Sequence, residues 1–246
     1  MILARLSRAV REQNWFAVAI EFVIVIAGVV IGFQVTAWNA ERAEVQREAA
    51  YLRQLEVELT TIVEELEEGE QEAAAYFRWV MLFLEGVRTG DPEMAQEGSW
   101  GLNAITEVVW VNMEPAALTE LISGGELGLI RNRELRTSLA SIPALENDSR
   151  SRSDQMAGRL APVAGEISRH FQARLENLAD AANPNYTTET LQFDFETVAQ
   201  DEQLLSRINY AALQNRFQIT HLMRRGDQFE AIRDQIRAEI DARGLQ

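Results

Sequence analysis

The chain has 246 residues, with 38 acidic side chains against 23 basic ones and a net charge of −15 at neutral pH. This excess of negative charge repels phosphates, so nucleic acid is not expected among its partners. The chain has no cysteine, which excludes disulfide bonds, thiolate catalysis and thiolate metal sites. An apolar core must therefore hold the fold, and the chain is long enough to bury one.

A single transmembrane helix is predicted over residues 15–38. This segment contains one charged side chain, Glu21. As a helix, its apolar part runs about 33 Å, close to the ~30 Å thickness of the hydrocarbon layer. Trp15 and Trp38 stand at its ends, where aromatic rings anchor helices at the membrane–water interface. A cleaved signal peptide is the alternative, but the apolar run is long for one and no A-x-A site follows it.

The charges beside the span predict its orientation. Residues 1–14 carry Arg5, Arg8 and Arg11 against one acid, whereas the segment after the span carries more acids than arginines. The positive-inside rule therefore places this short basic N-terminus in the cytoplasm. Residues 39–246 are expected to form an acidic domain outside the cytoplasm, and the lipid bilayer is the first expected partner.

A long apolar seam follows the span. From Leu52 to Val87, apolar residues recur at alternating spacings of three and four, and only Gly69 breaks the series. This spacing is typical of a long helix that packs along other helices. No proline occurs before residue 92, so the transmembrane helix is expected to continue into the seam helix. Gly69 is the predicted position of a bend.

Turn and cap signals divide the middle of the chain. Gly124 and Gly125 are predicted to stop one helix, and Asn132 is predicted to cap the next. The predicted elements, in chain order, are a loop at 90–99, a loop with a short helix at 100–113, helices at 116–123 and 133–141, a long polar helix at 144–182 with an interruption at Pro162, and a polar loop at 187–200.

A second apolar seam runs from Leu205 to Ile240, in a predicted final helix capped by Asp201. Because both seams must be buried, the last helix is expected to pack along the first. The predicted fold class is therefore all-α, with a single N-terminal transmembrane helix that continues into an antiparallel bundle of long helices outside the cytoplasm.

Two blocks of the sequence carry distinctive patterns. In the first, the apolar span runs into a Q-x-x-x-W-N-x-x-R pattern at residues 34–42. The second, at residues 116–139, has a helix–glycine–LIRN–helix hairpin that includes Gly124, Gly125 and Asn132. Both blocks resemble a family of bacterial single-pass inner-membrane proteins of unknown function. The resemblance implies a bacterial origin and a single-pass topology, and it implies no activity. The expected location is the bacterial inner membrane, with most of the chain in the periplasm.

Three residues of the span define a candidate contact face. Glu21, Gly28 and Gly32 lie on nearly the same side of a helix, since their spacings of seven and four are close to whole turns. Two glycines four apart allow another helix to approach closely, and an ionisable residue within a span is a functional candidate. The alternative is that Glu21 simply extends toward the nearby headgroups.

The remaining chemistry-bearing residues indicate no catalytic or metal site. The acidic run from Glu56 to Glu72 lacks the ligand spacing of a calcium loop, so a solvated helix face is predicted. His170 and His221 belong to no paired-ligand spacing and are expected to be surface or satisfied helix residues. The sequence has no G-x-S-x-G, no glycine-rich phosphate loop and no Ser-x-x-Lys. We therefore expect no enzyme activity and no cofactor.

Two functions remain open. The first is a non-catalytic accessory or scaffolding subunit whose transmembrane helix docks onto a membrane-protein complex or a second copy. The alternative is a periplasmic sensing or ligand-binding helical domain that signals through a partner protein. The predicted cytoplasmic segment is too short for a signalling domain, and this favours the accessory subunit.

Overall fold

A computed structural model of the protein describes residues 15–175 and 189–244. Arg5, Arg8 and Arg11 lie outside the described residues, as do the side chain of Trp15 and the end of the helix predicted at 144–182. The described part is mostly helical, which confirms the predicted class in its coarse form. It also contains a pair of short antiparallel strands.

The helices and strands follow in chain order. They are α1 (Trp15–Thr89), α2 (Pro92–Gly98), α3 (Gly101–Ala104), α4 (Ala116–Ser123), a 3-10 turn (Leu127–Leu129), α5 (Arg133–His170), β1 (Gln172–Leu175), β2 (Glu189–Gln192), α6 (Phe195–Gln200) and α7 (Glu202–Arg243). The chain divides into two compact units, Met1–Ala50 and Tyr51–Gln246.

The first unit contains the apolar part of α1. Its large apolar side chains at position 16 and from Ile20 to Trp38 are exposed. Within the described residues, one helix is long and apolar enough to cross a membrane, and none of its apolar window is buried. At the end of this segment, the Arg42 guanidinium lies 5.2 Å from the centre of the Trp38 ring.

The second unit is a bundle built on α5, α7 and the part of α1 after Ala50. Helix α7 runs antiparallel to α1, because its Arg237 donates to Glu56 at 2.7 Å while Leu222, a few turns earlier, lies beside Gly69. It also runs antiparallel to α5, since Asn132 donates to Glu239 at 2.7 Å near one end of the pair. The predicted packing of the last helix along the first is thus present in this unit.

The two apolar seams form the core of the bundle. Most of their members are buried. One cluster includes Leu52, Leu55, Leu59, Leu66, Leu121, Leu139, Phe229 and Ile236; a second includes Val80, Phe83, Leu160, Ile167, Leu204 and Ile208.

Gly69, the predicted position of a bend, lies inside the continuous helix α1, and the bend itself stays a prediction. Helix α1 has no interruption at this residue. A Cβ atom added to Gly69 would lie 2.9 Å from Cγ1 of Val109. The glycine therefore allows the segment after α3 to approach the helix, and its place in the seam reflects close packing instead of a break.

The prediction of a loop at residues 90–99 is wrong, because these residues contain helix α2. The Asp91 carboxylate caps this helix by accepting from the backbone N–H groups of Glu93 and Met94 at 3.1 and 3.0 Å. Pro92 occupies the first turn, where its missing N–H costs nothing. An added Cβ on Gly98 would lie 2.1 Å from the backbone nitrogen of Phe83, so α2 packs directly on α1.

The helix predicted at 144–182 has different ends in the structure. Helix α5 begins at Arg133, contains Pro143 and Pro162, and ends at His170. Strand β1 follows and pairs with β2, which lies within the expected loop at 187–200 together with α6. The rings of Phe83, Phe171 and Phe193 pack together here, with 4.9 Å between the last two centroids. These contacts join residues far apart along the chain, which a local sequence pattern does not report.

Candidate functional site

The predicted contact face of the span is open. Glu21, Gly28 and Gly32 are exposed. A Cβ atom added to either glycine would meet nothing within 4 Å. Within the described residues, no second helix covers this face.

The predicted hairpin residues have a local structural role. Gly125 follows α4 with a φ of +68°, and the N–H of Glu126 donates to the carbonyl of Leu121 at 2.8 Å, which forms a Schellman ending. Gly124 keeps a right-handed conformation. The Asn132 side chain accepts from Glu134 and Leu135 at the start of α5.

The site that the sequence does not reveal is a cavity of about 380 Å³ within the second unit. It lies between α5, α7 and the segment at residues 108–113. Residues of α5 at 149, 152, 153, 156 and 159 share one helical face, as do those of α7 at 214, 217, 218, 221, 224 and 225. The segment at 108–113 is attached to both helices, because Gln218 donates to the Val109 carbonyl at 2.8 Å and the Met113 N–H donates to Glu146 at 3.2 Å.

The cavity has a polar floor, an apolar wall and a basic rim. Ser149, Gln218 and Arg225 are buried at the floor. The apolar wall consists of Val108, Trp110, Met156, Phe217 and Leu222. At the rim, the exposed basic residues are Arg152, Arg159 and Arg224. Among the described residues that line the cavity, none is acidic, although the chain as a whole is strongly acidic.

A hydrogen-bond network organises the floor. The Ser149 hydroxyl lies 3.0 Å from Nε2 of His221, and its oxygen accepts from Nε of Arg225 at 3.0 Å. Arg225 also donates to Gln228 at 2.7 Å and to the carboxylate of Asp148 at 2.5 Å. Arg152 donates to the same carboxylate oxygen at 2.9 Å, so one acid pairs with two arginines.

The network also determines which groups are charged. Burial lowers the pKa of His221, and the positive charges of Arg225 and Arg152 lower it further. The imidazole is therefore neutral at neutral pH, and its Nε2 shares a hydrogen bond with the Ser149 hydroxyl. The hydrogen bond from Arg152 lowers the pKa of Asp148, so this carboxylate is ionised.

One buried polar atom at the floor has no partner. Gln218 is 7% exposed, and its Oε1 makes no hydrogen bond within the described part of the chain. The Val109 carbonyl can only accept, so the contact with Nε2 determines the amide orientation and leaves Oε1 free. Buried polar groups nearly always have a partner, and this oxygen, which has almost no accessible surface, is an exception.

The chemistry of the cavity favours binding over catalysis. A serine beside a neutral histidine resembles a nucleophile and its base. However, Arg225 donates to the serine oxygen, which engages a lone pair needed for attack, and Ser149 is buried. Within the residues the structure describes, no cluster of three or more histidine, aspartate or glutamate side chains could hold a metal ion.

The two histidines differ in their surroundings. His221 lines the cavity, whereas His170 ends α5 with its Nε2 3.8 Å from the Asp201 carboxylate. The carboxylates of the acidic run, such as Glu64, Glu65 and Glu68, are exposed.

Sequence reasoning missed the cavity. The available signal was the basic spacing of Arg152 and Arg159 within an acidic chain.

The fold and the site define a class, namely a helical-bundle protein with one N-terminal helix that could span a membrane and a basic cavity in the bundle. Comparison with protein-family models, curated proteins and solved structures finds no match to this chain.

Proposed function

We propose that the protein is a membrane-anchored binding protein whose helical domain takes up a small ligand in the basic cavity. In this proposal, the apolar part of α1 anchors the chain in the bacterial inner membrane, with the N-terminus in the cytoplasm and residues 39–246 in the periplasm. The observation that carries the proposal is the cavity of about 380 Å³ in the bundle, where the buried Ser149 and Gln218 lie beside an apolar wall.

The shape and lining of the cavity support this function. Ligand sites are concave, mostly apolar, and contain a few convergent polar groups within volumes of roughly 300–1,000 Å³. The cavity of about 380 Å³ falls in this range, and it combines an apolar wall with Ser149, Gln218 and His221. A sensing role would require a partner, and the face formed by Glu21, Gly28 and Gly32 is the proposed contact with it.

The direct test is to identify what the protein carries. The full-length protein is purified gently from native membranes, denatured, and the released small molecules are identified by mass spectrometry. We expect one compound in an amount similar to that of the protein. It should be lost in Ser153→Trp, because Ser153 lines the cavity and a large ring there would occupy it.

The matched control is Ser168→Trp, the same substitution on an exposed position of α5 outside the cavity lining. This variant should release the same compound as the native protein. Equal recovery from both tryptophan variants would place the compound elsewhere and would overturn the proposal.

The accessory subunit remains a second proposal, supported by the open face of Glu21, Gly28 and Gly32. Its test is the set of membrane proteins that co-purify with the full-length chain. Gly28→Ile and Glu21→Leu should each remove a stoichiometric partner, whereas Val30→Phe, on the opposite side of the helix, should keep it. Unchanged association in all three variants would exclude docking through this face.

A further inference from the structure

The middle of α5 is packed differently from its two ends. Apolar side chains bury both ends in the core clusters, namely Leu135, Leu139 and Ile142 at one end and Leu160, Val163 and Ile167 at the other. Between these ends, the buried residues of α5 are Glu146 and Ser149, which are both polar. We propose that residues 143–162 form a gate that moves away from α7 and opens the cavity. The gate rests on the proposed function, because it controls access to the same cavity.

A proline stands at each end of the gate. Pro143 and Pro162 lie inside α5, where a proline has no N–H to donate to the carbonyl four residues earlier and tends to bend the helix. Gly158 is the residue four positions before Pro162. A Cβ atom added to this glycine would meet nothing within 4 Å, so close packing does not require it. The backbone of α5 is therefore weakened where its packing changes from apolar to polar.

The gate can bow outward while both ends of α5 stay packed. A helical residue advances the chain by about 1.5 Å, and an extended residue advances it by about 3.3 Å. Unwinding one turn at a proline therefore lengthens the path of the chain by about 6 Å. Such unwinding costs least at the two prolines, because one hydrogen bond is already missing there.

Polar contacts hold the closed gate against α7. The Asp148 carboxylate accepts from Nη2 of Arg225 at 2.5 Å. The Ser149 oxygen accepts from Nε of the same arginine at 3.0 Å, and it lies 3.0 Å from Nε2 of His221. We call these four residues the latch. Water can replace hydrogen bonds of this kind when the gate opens, whereas separating the apolar ends of α5 from the core would expose apolar surface.

The second half of the gate is held less firmly than the first. Within the described part of the chain, the side-chain hydrogen bonds of residues 151–159 stay inside α5, as in the bond from Arg152 to Asp148. Ser153 and Met156 line the cavity and are only partly buried. The cavity thus lies where apolar packing would otherwise attach the middle of α5 to the bundle.

Hydrogen exchange of the full-length protein in nanodiscs tests the gate. After correction for intrinsic rates, amides of residues 147–159 should exchange about a hundredfold faster than those of residues 137–142 and 165–169 in the same helix. Gly158→Ala should slow exchange in the gate about threefold, because alanine favours the helix. Gly165→Ala is the matched control. It makes the same change outside the gate, with equal room for the added Cβ, and should leave exchange in the gate unchanged.

The latch is tested by Ser149→Ala, which removes the oxygen that joins Arg225 and His221. This variant should speed exchange in the gate about tenfold, because closing the gate then leaves buried donors without their acceptor. Ser168→Ala removes a hydroxyl from an exposed position of α5 outside the gate. It should leave exchange in the gate unchanged.

A pair of spin labels measures the movement itself. The chain has no cysteine, so Asp154→Cys in the gate and Met223→Cys on α7 give one labelled pair at exposed positions. The reference pair, Ala140→Cys and Ala231→Cys, joins the same two helices outside the gate, also at exposed positions. We expect a broader distance distribution for the gate pair than for the reference pair. Adding Ser149→Ala should shift the gate pair toward longer distances.

Three results would overturn the gate. The first is equal protection of the gate and of the residues on both sides of it. The second is an equal effect of Gly158→Ala and Gly165→Ala on exchange in the gate, and the third is an equally narrow distance distribution for the two label pairs. None of these measurements uses a ligand. The gate can therefore fail while the released-compound experiment supports the binding cavity, and the reverse result is equally distinguishable.

Discussion

Arg225 and Asp148 form an ion pair between α7 and α5, with 2.5 Å between Nη2 and Oδ2. The two side chains differ in their access to water, since 7% of Arg225 and 44% of Asp148 is exposed. The positive charge of Arg225 is therefore nearly buried. The carboxylate of Asp148 that neutralises it is half-exposed, so a side chain of similar size can replace it without leaving a void in the core.

Asp148→Asn should destabilise the protein because it leaves the Arg225 charge buried without its counter-charge. Removing one partner of a fully buried pair costs about 3–5 kcal/mol, and the partial exposure of Asp148 reduces this to about 2 kcal/mol. The expected fall in melting temperature is about 4–8 °C. It can be followed by circular dichroism of the full-length protein in detergent. Asp154→Asn, on an exposed position of the same helix, should stay within about 0.5 kcal/mol of the native protein.

His221 should make stability depend on pH near neutrality. Its pKa is lowered in the folded protein by burial and by Arg225 and Arg152. As the pH falls below about 6.5, the unfolded chain binds a proton that the folded state resists. Stability is therefore lost from about pH 6.5 down to the folded pKa. Melting temperatures at about pH 7.5 and 5.5 should differ less in His221→Gln than in the native protein.

His170→Gln is the matched control for this measurement, because it removes the other histidine and retains His221. It therefore keeps the contribution of His221 to the pH dependence. The pKa of Asp148 is also lowered, but its stabilisation is present above about pH 4 and is lost in more acidic solution, outside this window. If His221→Gln keeps the full difference between the two pH values, the assignment is wrong.

Gly98→Ala and Gly165→Ala should change stability in opposite directions. A Cβ on Gly98 would lie 2.1 Å from N and 2.6 Å from Cα of Phe83, and backbone atoms cannot move aside easily. We expect a loss of about 2 kcal/mol. Gly165 lies inside α5 with nothing within 4 Å of an added Cβ. Alanine there should stabilise the helix by about 0.5–1 kcal/mol, and equal melting temperatures for the two variants would contradict this reading.

Gly125→Ala should cost more than Gly124→Ala, although the two residues are adjacent. Gly125 has a φ of +68°, a left-handed conformation that costs a residue with a Cβ about 1 kcal/mol. Gly124 has a φ of −76°, which alanine adopts readily, and its added Cβ would lie 3.1 Å from the Glu120 carbonyl oxygen. Denaturant unfolding of both variants measures the difference. An equal loss of stability would show that the left-handed conformation is not what requires glycine.

Features that depend on neighbours along the chain were predictable. The seam spacing placed residues such as Leu55 and Ile236 in the core, where both are fully buried. Asp201 caps α7 by accepting from the N–H of Leu204 at 2.9 Å. These patterns are readable because helical periodicity and capping involve residues within a few positions of each other.

Features that depend on long-range packing were missed. The loop expected at residues 90–99 contains α2, which begins at Pro92, and only the structure shows the close approach of Gly98 to Phe83. The end of α5 at His170 is another example. There Phe171 contacts Phe83 and Phe193, which lie far from it along the chain.

The sequence by itself determined the apolar span, the long helices and their caps, because each is encoded by composition or spacing within one segment. Only the tertiary structure decided the cavity. Ser149 and His221 lie 72 positions apart, and they meet because the buried faces of α5 and α7, which include Ser149 and Gln218, pack against each other. The spacing within either helix does not tell which residues of the other helix will face it.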